Sequence, residues 1–342
     1  MGTKLGDLID SEEISFDHLF NKKIAVDAMN TVYQFLSIIR QRDGTPLKDS
    51  EGNITSHLSG LFYRNAKLLE KNVKPVYVFD GKAPDLKAEE SKERRKKREK
   101  AREDWKKLKK EGKMKKAFKK ATQSSRLTSD MLVEAKKLLD AMGIPYIEAP
   151  SEGEAQAAKM NCEGSVWAVG SQDWDSLVFG ADRFVKNLTV TGKRKVPGKQ
   201  RYKTIVPEKV EKEPALNSLG ISLEQLRWVA VLIGTDFNPK GIKGVGPKTA
   251  MKLVKKYGSF ESILEDDKVE WEHDNDPFKI LDFFENPPVE EGLSFNYGSP
   301  DRDAVFEVLV ESHEFSESRV ESTFNKLEKS LKESQQDLGS FF

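Results

Sequence analysis

The chain has 342 residues, of which 37% are hydrophobic and 33% are charged, and its formal net charge is +1. A chain of this length can bury a sizeable core, either as one large domain with an insertion or as two smaller domains. Its one cysteine excludes a disulfide framework, no apolar run approaches the roughly 20 residues of a membrane-spanning helix, and the N-terminus lacks the pattern of a signal peptide, so we expect a soluble intracellular protein.

Four apolar runs alternate with helical patterns in the first half of the chain. They are 23-KIAVDA-28, 74-KPVYVFDG-81, 144-IPYIEAP-150 and 165-SVWAVGSQD-173. Because their apolar character is continuous, they predict parallel strands that are buried on both faces of a sheet. We therefore predict an α/β fold with a mostly parallel central sheet flanked by helices.

The connection between the second and third runs is much longer than a crossover requires. Its segment 91-SKERRKKREKAREDWKKLKKEGKMKKAFKK-120 has a net charge of +12, whereas the rest of the chain has −11. If it is helical throughout, it is about 45 Å long. A solvated helix is the ordinary interpretation, but so large an excess repels itself, and a polyanion beside it would relieve that repulsion. We favour a nucleic-acid-binding insertion, with Lys87 and Arg94 two turns apart on one helical face. The next helix is predicted to be capped by Ser129 and ended by Gly143.

Acidic residues recur at the ends of the apolar runs. They are Asp27, Asp80, Glu152, Glu154, Asp173, Asp175 and, after 228-WVAVLIGTD-236, Asp236. Because the carboxyl ends of parallel strands share one edge of a sheet, these side chains are expected to meet in one cleft. Each like-charged pair at ~4 Å is unfavourable by about 4 kcal/mol at an effective dielectric constant of about 20, so the cluster requires cations. Ligands that are all oxygen favour Mg²⁺ or Mn²⁺, and two such ions support phosphodiester hydrolysis.

Each acid also has an ordinary structural interpretation. Ser151 and Glu154 have the spacing of a capping box, with Glu152 in the first turn. Asp27 and Asp80 suit helix caps or turns, and Asp236 suits a turn. The recurrence of acids at successive strand ends favours the shared site, because caps do not require it.

The stretch 241-GIKGVGPKTAMKLVKKYGS-259 follows the predicted helix 222-SLEQLRWVAVLIG-234 and consists of a glycine-rich turn and a second predicted helix. Ser222 and Gln225 predict a capping box, and Pro247 suits the start of a second helix. A plain helical hairpin is the ordinary interpretation. We favour phosphate binding by the exposed backbone N–H groups and by nearby side chains, without sequence readout. The residues assigned to it are Lys243, Gly244, Gly246, Lys248 and Thr249.

These motifs together resemble the flap endonucleases of the archaeal and eukaryotic type, within the superfamily of structure-specific 5′ nucleases. The resemblance covers nearly the whole chain and is carried by 24-IAVDA-28, 55-TSHLSGLFYR-64, 75-PVYVFDG-81, 151-SEGEAQAA-158, 170-GSQDWDSLVFG-180, 233-IGTDFN-238 and 241-GIKGVGPKTA-250. It implies a PIN-like nuclease core with a basic helical arch and a helix-hairpin-helix element. One departure is Trp174, where the family usually has tyrosine.

The resemblance also implies roles for individual residues. The seven acids match the metal ligands, Lys87 and Arg94 match the arch residues that contact the scissile phosphate, and Asp173 is included among the catalytic residues. Tyr33 matches the tyrosine that stacks on a base, although a buried core tyrosine is the ordinary interpretation. Gly2 matches the glycine at the mature N-terminus, and the 241–249 turn implies a bound K⁺ ion.

The C-terminal sequence 335-QQDLGSFF-342 has the spacing of a sliding-clamp-binding motif, with Gln335, Leu338, Phe341 and Phe342 in the motif positions. A frayed tail is the ordinary interpretation. Two exposed phenylalanines at the end of a polar chain instead indicate an interaction site, and the resemblance favours binding to a sliding clamp of the proliferating cell nuclear antigen type. The chain stops at the motif, which indicates an archaeal and hence cytoplasmic protein rather than a nuclear one.

We therefore predict a monomeric, Mg²⁺-dependent nuclease that removes 5′ flaps from flapped or nicked duplex DNA, with 5′–3′ exonuclease activity, in Okazaki fragment maturation and long-patch base excision repair. The alternatives are a catalytically silent DNA-binding module that recruits the clamp, and a repair-type or junction-resolving nuclease of the same superfamily. The predicted regions are the core (1–83 and 129–221), the arch (84–128), the helix-hairpin-helix (222–260), a C-terminal helical region (261–330) and a flexible tail (331–342).

Overall fold

The fold is described by a computed structural model that covers residues 3, 5–190, 192–195 and 202–339. The strands in these ranges are β1 (Glu12–Glu13), β2 (Lys23–Asp27), β3 (Lys74–Phe79), β4 (Tyr146–Glu148), β5 (Ala168–Gly170), β6 (Arg183–Lys186), β7 (Lys193–Lys195), β8 (Tyr202–Thr204) and β9 (Glu208–Glu211). Seven of them form one sheet in the order β1-β9-β6-β5-β2-β3-β4, and β7 and β8 form a separate antiparallel hairpin. Strands β4, β3, β2, β5 and β6 are parallel to their neighbours, whereas β9 runs antiparallel to β6 and β1. The predicted α/β fold with a mostly parallel sheet is confirmed.

Helices flank the sheet and continue to the end of the described chain. They are α1 (Ala28–Ile38), α2 (Ser56–Glu70), α3 (Ala88–Lys110), α4 (Met114–Gln123), α5 (Ser129–Ala141), α6 (Gly153–Cys162), α7 (Asp175–Val178), α8 (Lys212–Leu219), α9 (Leu223–Ile233), α10 (Pro247–Lys256), α11 (Phe260–Leu264), α12 (Pro277–Glu285), α13 (Arg302–Phe306) and α14 (Glu317–Gly339). A π-helical turn, Glu307–Glu311, extends α13. None of the helices in the described ranges is long and apolar enough to cross a membrane.

The sheet is buried on both faces, which explains why its strands read as continuous apolar runs. In β2, Ala25 points into one hydrophobic core, whereas Ile24 and Val26 point into the other. The alternating residues of β3 are divided between the same two cores. Helices α9 and α12 pack in the first core, and α2, α5 and α14 pack in the second. The C-terminal region therefore covers both faces of the sheet.

The basic insertion is two helices rather than one long helix. Helix α3 ends at Lys110 and α4 begins at Met114, with Gly112 in the turn at a φ of +68°. A left-handed residue at this position favours glycine and reverses the chain. The two helices pack against each other, and Ala101, Ala117 and Ala121 on them are buried. The segment is therefore not helical throughout, and the length of about 45 Å that one continuous helix would have does not apply.

Helix α5 begins one residue earlier than its predicted cap implies. Thr128 is the N-cap, and its hydroxyl accepts a hydrogen bond from Met131 N at 3.4 Å, so Ser129 is the first helical residue and the predicted cap was wrong. Gly143 follows the helix with a φ of +66°, as the C-terminal signal predicts. The predicted capping box of Ser222 and Gln225 at the start of α9 and the helix start at Pro247 are both present.

Candidate active site at the carboxyl edge of the sheet

The carboxyl edge of the sheet carries the seven predicted acids. Asp27 ends β2 and Asp80 follows β3. The two strands are parallel neighbours, and Asp27 lies opposite Val78. Glu152 and Glu154 lie at the start of α6, after β4. Asp173 and Asp175 follow β5, and Asp236 approaches from the end of α9, a helix, rather than from a strand.

The electrostatics show that these acids lie close together. Burial, and then the charges of Asp80 and Asp173, raise the pKa of Asp27 to about 8. Burial and the charge of Asp236 raise the pKa of Asp175 to about 6. The pKa of Glu154 is raised well above its ordinary value by burial and then by Asp27 and Asp175. Each carboxylate therefore lies in the field of several others, which favours the uptake of protons or cations.

Lys87 and Arg94 from the base of the arch enter this acidic cluster. Lys87 precedes α3, and its Nζ lies 2.5 Å from Glu152 Oε2 and 3.9 Å from Asp236 Oδ2. Arg94, on α3, donates from Nη2 to Asp236 Oδ2 at 2.7 Å. Burial lowers the pKa of Lys87, but Glu152, Asp236 and Asp80 together more than offset this, so the pKa lies above its ordinary value. Both side chains thus reach the acids, although Lys87 precedes α3 rather than lying on a shared helical face. Their contact with a phosphate stays a prediction.

The capping-box interpretation of Glu154 does not hold in this structure. The N-cap of α6 is Glu152, and its side chain makes no capping hydrogen bond. Glu154 Oε1 accepts hydrogen bonds from the hydroxyls of Ser171 at 2.6 Å and Ser176 at 3.1 Å. The side chain is therefore held toward the acidic cluster by residues that follow β5.

Asp27 is both a helix cap and a member of the acidic cluster. Its Oδ1 accepts a hydrogen bond from Asn30 N at 3.0 Å and so caps α1, while its carboxylate faces Asp80 and Asp173. Asp80 Oδ1 similarly accepts from Gly153 N at 2.8 Å, at the start of α6. These hydrogen bonds fix the carboxylates in place and leave their other oxygens for further contacts.

The donor set fits divalent cations by its chemistry. The side chains that meet here are aspartates and glutamates, whose oxygens suit Mg²⁺ or Mn²⁺. Burial, and then repulsion by neighbouring carboxylates, raises the pKa values of Asp27, Glu154 and Asp175. As the side chains stand, the described part of the chain holds no group of three or more Asp, Glu, His or Cys residues able to coordinate one ion. Two cationic side chains lie among the acids instead. The assignment of all seven acids as ligands therefore stays a prediction.

Three residues that sequence reasoning missed form hydrogen bonds with Asp173 and Asp175. Thr3 donates from its backbone N at 3.0 Å and from its hydroxyl at 2.5 Å to Asp175 Oδ1. Asn30 donates from Nδ2 to Asp173 Oδ2 at 2.6 Å, and Ser171 Oγ accepts from Asp173 N at 3.1 Å. The N-terminal segment thus lies at the site, next to Gly2, which is itself outside the described residues. The contacts to Thr3 and Asn30 join residues more than 140 positions apart and leave no signal in the sequence.

The glycine-rich turn between α9 and α10 presents its predicted binding residues to solvent. Lys243, Gly244, Gly246 and Lys248 are exposed, and Thr249 is half-buried. Gly244 has a φ of +79°, which favours glycine, and Gly246 caps α10 without a side-chain hydrogen bond. The first N–H groups of α10 are therefore available to an anion, as the sequence predicts.

The remaining predicted site residues are only partly described. Tyr33 on α1 is half-buried, so it is not the core tyrosine of the ordinary interpretation. Gln335 and Leu338 lie within α14, and Phe341 and Phe342 are outside the described residues. Trp174 is 8% exposed and packs edge-on against Phe184 with ring centres 5.1 Å apart, so the departure at this position is a packing residue.

Comparison with known proteins identifies the family. The family profile of the XPG N-terminal domain matches residues 4–101, and that of the XPG I-region matches residues 143–236. Flap endonuclease 1 of Aeropyrum pernix is 48% identical over 337 residues, which cover 97% of this chain and 96% of the relative. This chain belongs to the flap endonuclease family. The family member from Pyrococcus furiosus is also 48% identical, over 100% of this chain and 99% of the relative.

Solved structures of the flap endonuclease family and its neighbours share the fold. Flap endonuclease-1 from Methanococcus jannaschii matches with a TM-score of 0.77 at 40% identity, over 97% of this chain and 100% of that chain. The catalytic core of Rad2, solved in complex with DNA substrate, matches with a TM-score of 0.71 at 24% identity, over 96% of this chain and 100% of that chain. All seven acids, Lys87 and Arg94 lie within the two matched family regions. The predicted family is confirmed.

Proposed function

We propose that this flap endonuclease family member is a metal-dependent hydrolase that cuts 5′ flaps near their junction with duplex DNA. The observation that carries the proposal is the insertion of Lys87 and Arg94 from the basic arch into a cluster of buried carboxylates. A phosphate that replaces the carboxylates as the partner of these two cations would lie directly over the acids. A nuclease needs both parts in one place, because the phosphodiester must meet positive charge and an activated water together.

The residues proposed to hold two Mg²⁺ ions, or Mn²⁺ in their place, are Asp27, Asp80, Glu152, Glu154, Asp173, Asp175 and Asp236. When bound, such ions would supply an activated water and stabilise the charge of the attacking and leaving oxygens. The hydrogen bonds from Gly153 N to Asp80 and from Asn30 to Asp173 orient carboxylates before any ion arrives. This preorganisation reduces the rearrangement that ion binding demands.

Lys87 and Arg94 are proposed to orient the scissile phosphate. Lys87 Nζ is a compact charge that also lies 5.8 Å from the ring centre of Phe237, so the ring helps to hold it at the edge of the cluster. Arg94 presents a planar fork that suits two phosphate oxygens. Both side chains come from the base of the arch, so a single strand that passes along the arch is delivered to the acids.

The duplex is proposed to rest on the turn between α9 and α10, where backbone N–H groups, Lys243, Lys248 and Thr249 contact phosphates and a K⁺ ion binds. Tyr33 is proposed to stack on a base beside the cleft, and Gly2 to keep the N-terminus small next to Thr3. Contacts of these kinds recognise the shape and the phosphate backbone of the DNA, so we expect little sequence preference. The strong basic charge of the arch predicts that binding weakens steeply with salt.

The C-terminal residues Gln335, Leu338, Phe341 and Phe342 are proposed to bind a sliding clamp. Clamp binding, flap removal and 5′–3′ exonuclease activity together would suit Okazaki fragment maturation and long-patch base excision repair. We propose that the protein acts there as a monomer in the archaeal cytoplasm. An archaeal source fits the archaeal relatives.

The experiment is cleavage of a double-flap DNA with a labelled 5′ flap, in Mg²⁺ and in EDTA. We expect one main cut near the junction, a 5′ phosphate on the product, and no cut in EDTA. Bubbles and four-way junctions serve as competing substrates, and their preferential cleavage would favour a repair-type or junction-resolving enzyme. Clamp binding without any cleavage would favour a catalytically silent recruiting module.

A further inference from the structure

The segment between α11 and α12 reaches the base of the arch through one side chain. Asn275 donates from Nδ2 to the backbone oxygen of Leu86 at 2.8 Å and to that of Phe237 at 2.6 Å. The two acceptors are 189 and 38 positions away in the sequence, so this one amide group joins three separate parts of the chain. The two N–H bonds of a primary amide allow it to serve both oxygens at once.

Both acceptors are neighbours of residues in the candidate active site. Leu86 immediately precedes Lys87, and Phe237 immediately follows Asp236. Lys87 Nζ lies 3.9 Å from Asp236 Oδ2 and 5.8 Å from the Phe237 ring centre. The amide of Asn275 therefore connects, through the backbone, the two chain segments whose side chains meet over the acids.

The segment that carries Asn275 is itself held at several points. Trp271 Nε1 donates to Asn275 O at 2.8 Å, and Asp276 caps α12 by accepting from Phe278 N at 2.8 Å. His273 Nε2 lies 3.0 Å from Gly241 O, at the start of the glycine-rich turn. Because these contacts restrain Asn275, its amide can in turn restrain the two backbone oxygens that it binds.

We propose that Asn275 is a positioning residue that keeps Lys87 in register with Asp236. This inference rests on the proposed function, because the register matters only if Lys87 meets a phosphate at the acids. A loss of the two hydrogen bonds lets the Leu86–Lys87 turn move relative to the Asp236–Phe237 turn. A misplacement of about 1 Å in a reacting group lowers a rate by on the order of 100-fold.

The test measures single-turnover cleavage of the double-flap DNA, at saturating Mg²⁺ and saturating protein, by the full chain. We expect Asn275→Ala to lower the cleavage rate by about 10- to 100-fold, with the Kd for the flap DNA unchanged within about twofold. Asn286→Ala is the matched control, because within the described part of the chain Asn286 Nδ2 donates only to Asp282 on the surface of α12, and its rate should equal that of the wild type. Asn275→Asp, which keeps the side-chain volume but loses both donors, should resemble Asn275→Ala.

A double-mutant cycle with Lys87→Ala separates positioning from a general loss of stability. If Asn275 acts through Lys87, Asn275→Ala lowers the rate by less than about twofold in the Lys87→Ala background. An equal loss in both backgrounds, after correction for the folded fraction measured by circular dichroism, overturns the proposal. A wild-type rate for both Asn275 variants also overturns it. Absence of flap cleavage by the wild type would reject the proposed function itself.

Discussion

Replacement of Asp27 by asparagine separates its two roles in the structure. Asp27 caps α1 through Asn30 N at 3.0 Å, and asparagine caps a helix about as well as aspartate. Asparagine carries no charge, so the substitution removes the repulsion with Asp80 and Asp173 and keeps the cap. We expect Asp27→Asn to stabilise the protein in the absence of divalent ions and to abolish cleavage.

The magnitude follows from the pKa of Asp27, which burial and the neighbouring carboxylates raise from 3.8 to about 8. Because the folded chain binds this proton more tightly than the unfolded chain, the free energy of unfolding falls as pH rises between these two values. At pH 7 the contribution amounts to about 4 kcal/mol at most. Side-chain rearrangement absorbs part of it, so we expect asparagine to add about 1–3 kcal/mol, or about 2–6 °C in Tm for a chain of this length.

The assay is thermal unfolding from pH 5 to pH 8 in EDTA, repeated in Mg²⁺. The wild-type Tm should fall with pH in EDTA and recover in Mg²⁺, whereas Asp27→Asn should show a weaker pH dependence and little response to Mg²⁺. Asp301→Asn is the control, because Asp301 caps α13 through Ala304 N at 3.1 Å in an exposed position. A lower Tm for Asp27→Asn in EDTA at pH 7 would refute the account of a repulsive cluster.

Four further predictions address other parts of the site. Asp173→Ala should abolish cleavage and leave the Kd for flap DNA largely unchanged, as filter binding in Ca²⁺ would show. Lys87→Ala should lower the single-turnover rate by about 100-fold or more, since charge that stabilises a transition state is typically worth this much. Gly81→Ala should inactivate the enzyme and lower its Tm, because the new Cβ would lie 1.9 Å from Ala149 O beside Asp80. The double replacement Lys243→Ala and Lys248→Ala should reduce the salt dependence of duplex binding by about one unit of log–log slope per lysine.

The fold and the composition of the site were predictable because both leave local signals. Continuous apolar runs predict buried parallel strands, and their ends carry Asp27, Asp80 and the acids after β4 and β5. The break in the basic insertion has a local signal in Gly112 within 110-KEGK-113, although strong helix formers on both sides are also compatible with one continuous helix. Thr128 and Ser129 both suit an N-cap, and serine is the slightly better one, so the sequence alone favours the residue that proves to be the first helical position.

The contacts that orient the site were not predictable, because they join distant parts of the chain. Glu154 matches a capping box, yet the hydroxyls of Ser171 and Ser176 hold it in the acidic cluster. Thr3 and Asn275 lie in segments without periodic pattern, and their partners are known only once the chain is folded. Local rules thus locate the acids, and tertiary structure decides how they are held.

The most direct test of the central claim is anomalous diffraction from crystals of the full chain grown with flap DNA and Mn²⁺. The account predicts two manganese peaks within about 4 Å of each other, with Lys87 and Arg94 on the scissile phosphate. The oxygens around the peaks should come from the seven proposed acids, Asp27, Asp80, Glu152, Glu154, Asp173, Asp175 and Asp236. Manganese that binds elsewhere, or a phosphate that lies away from these acids in a complex with the intact flap, would contradict it.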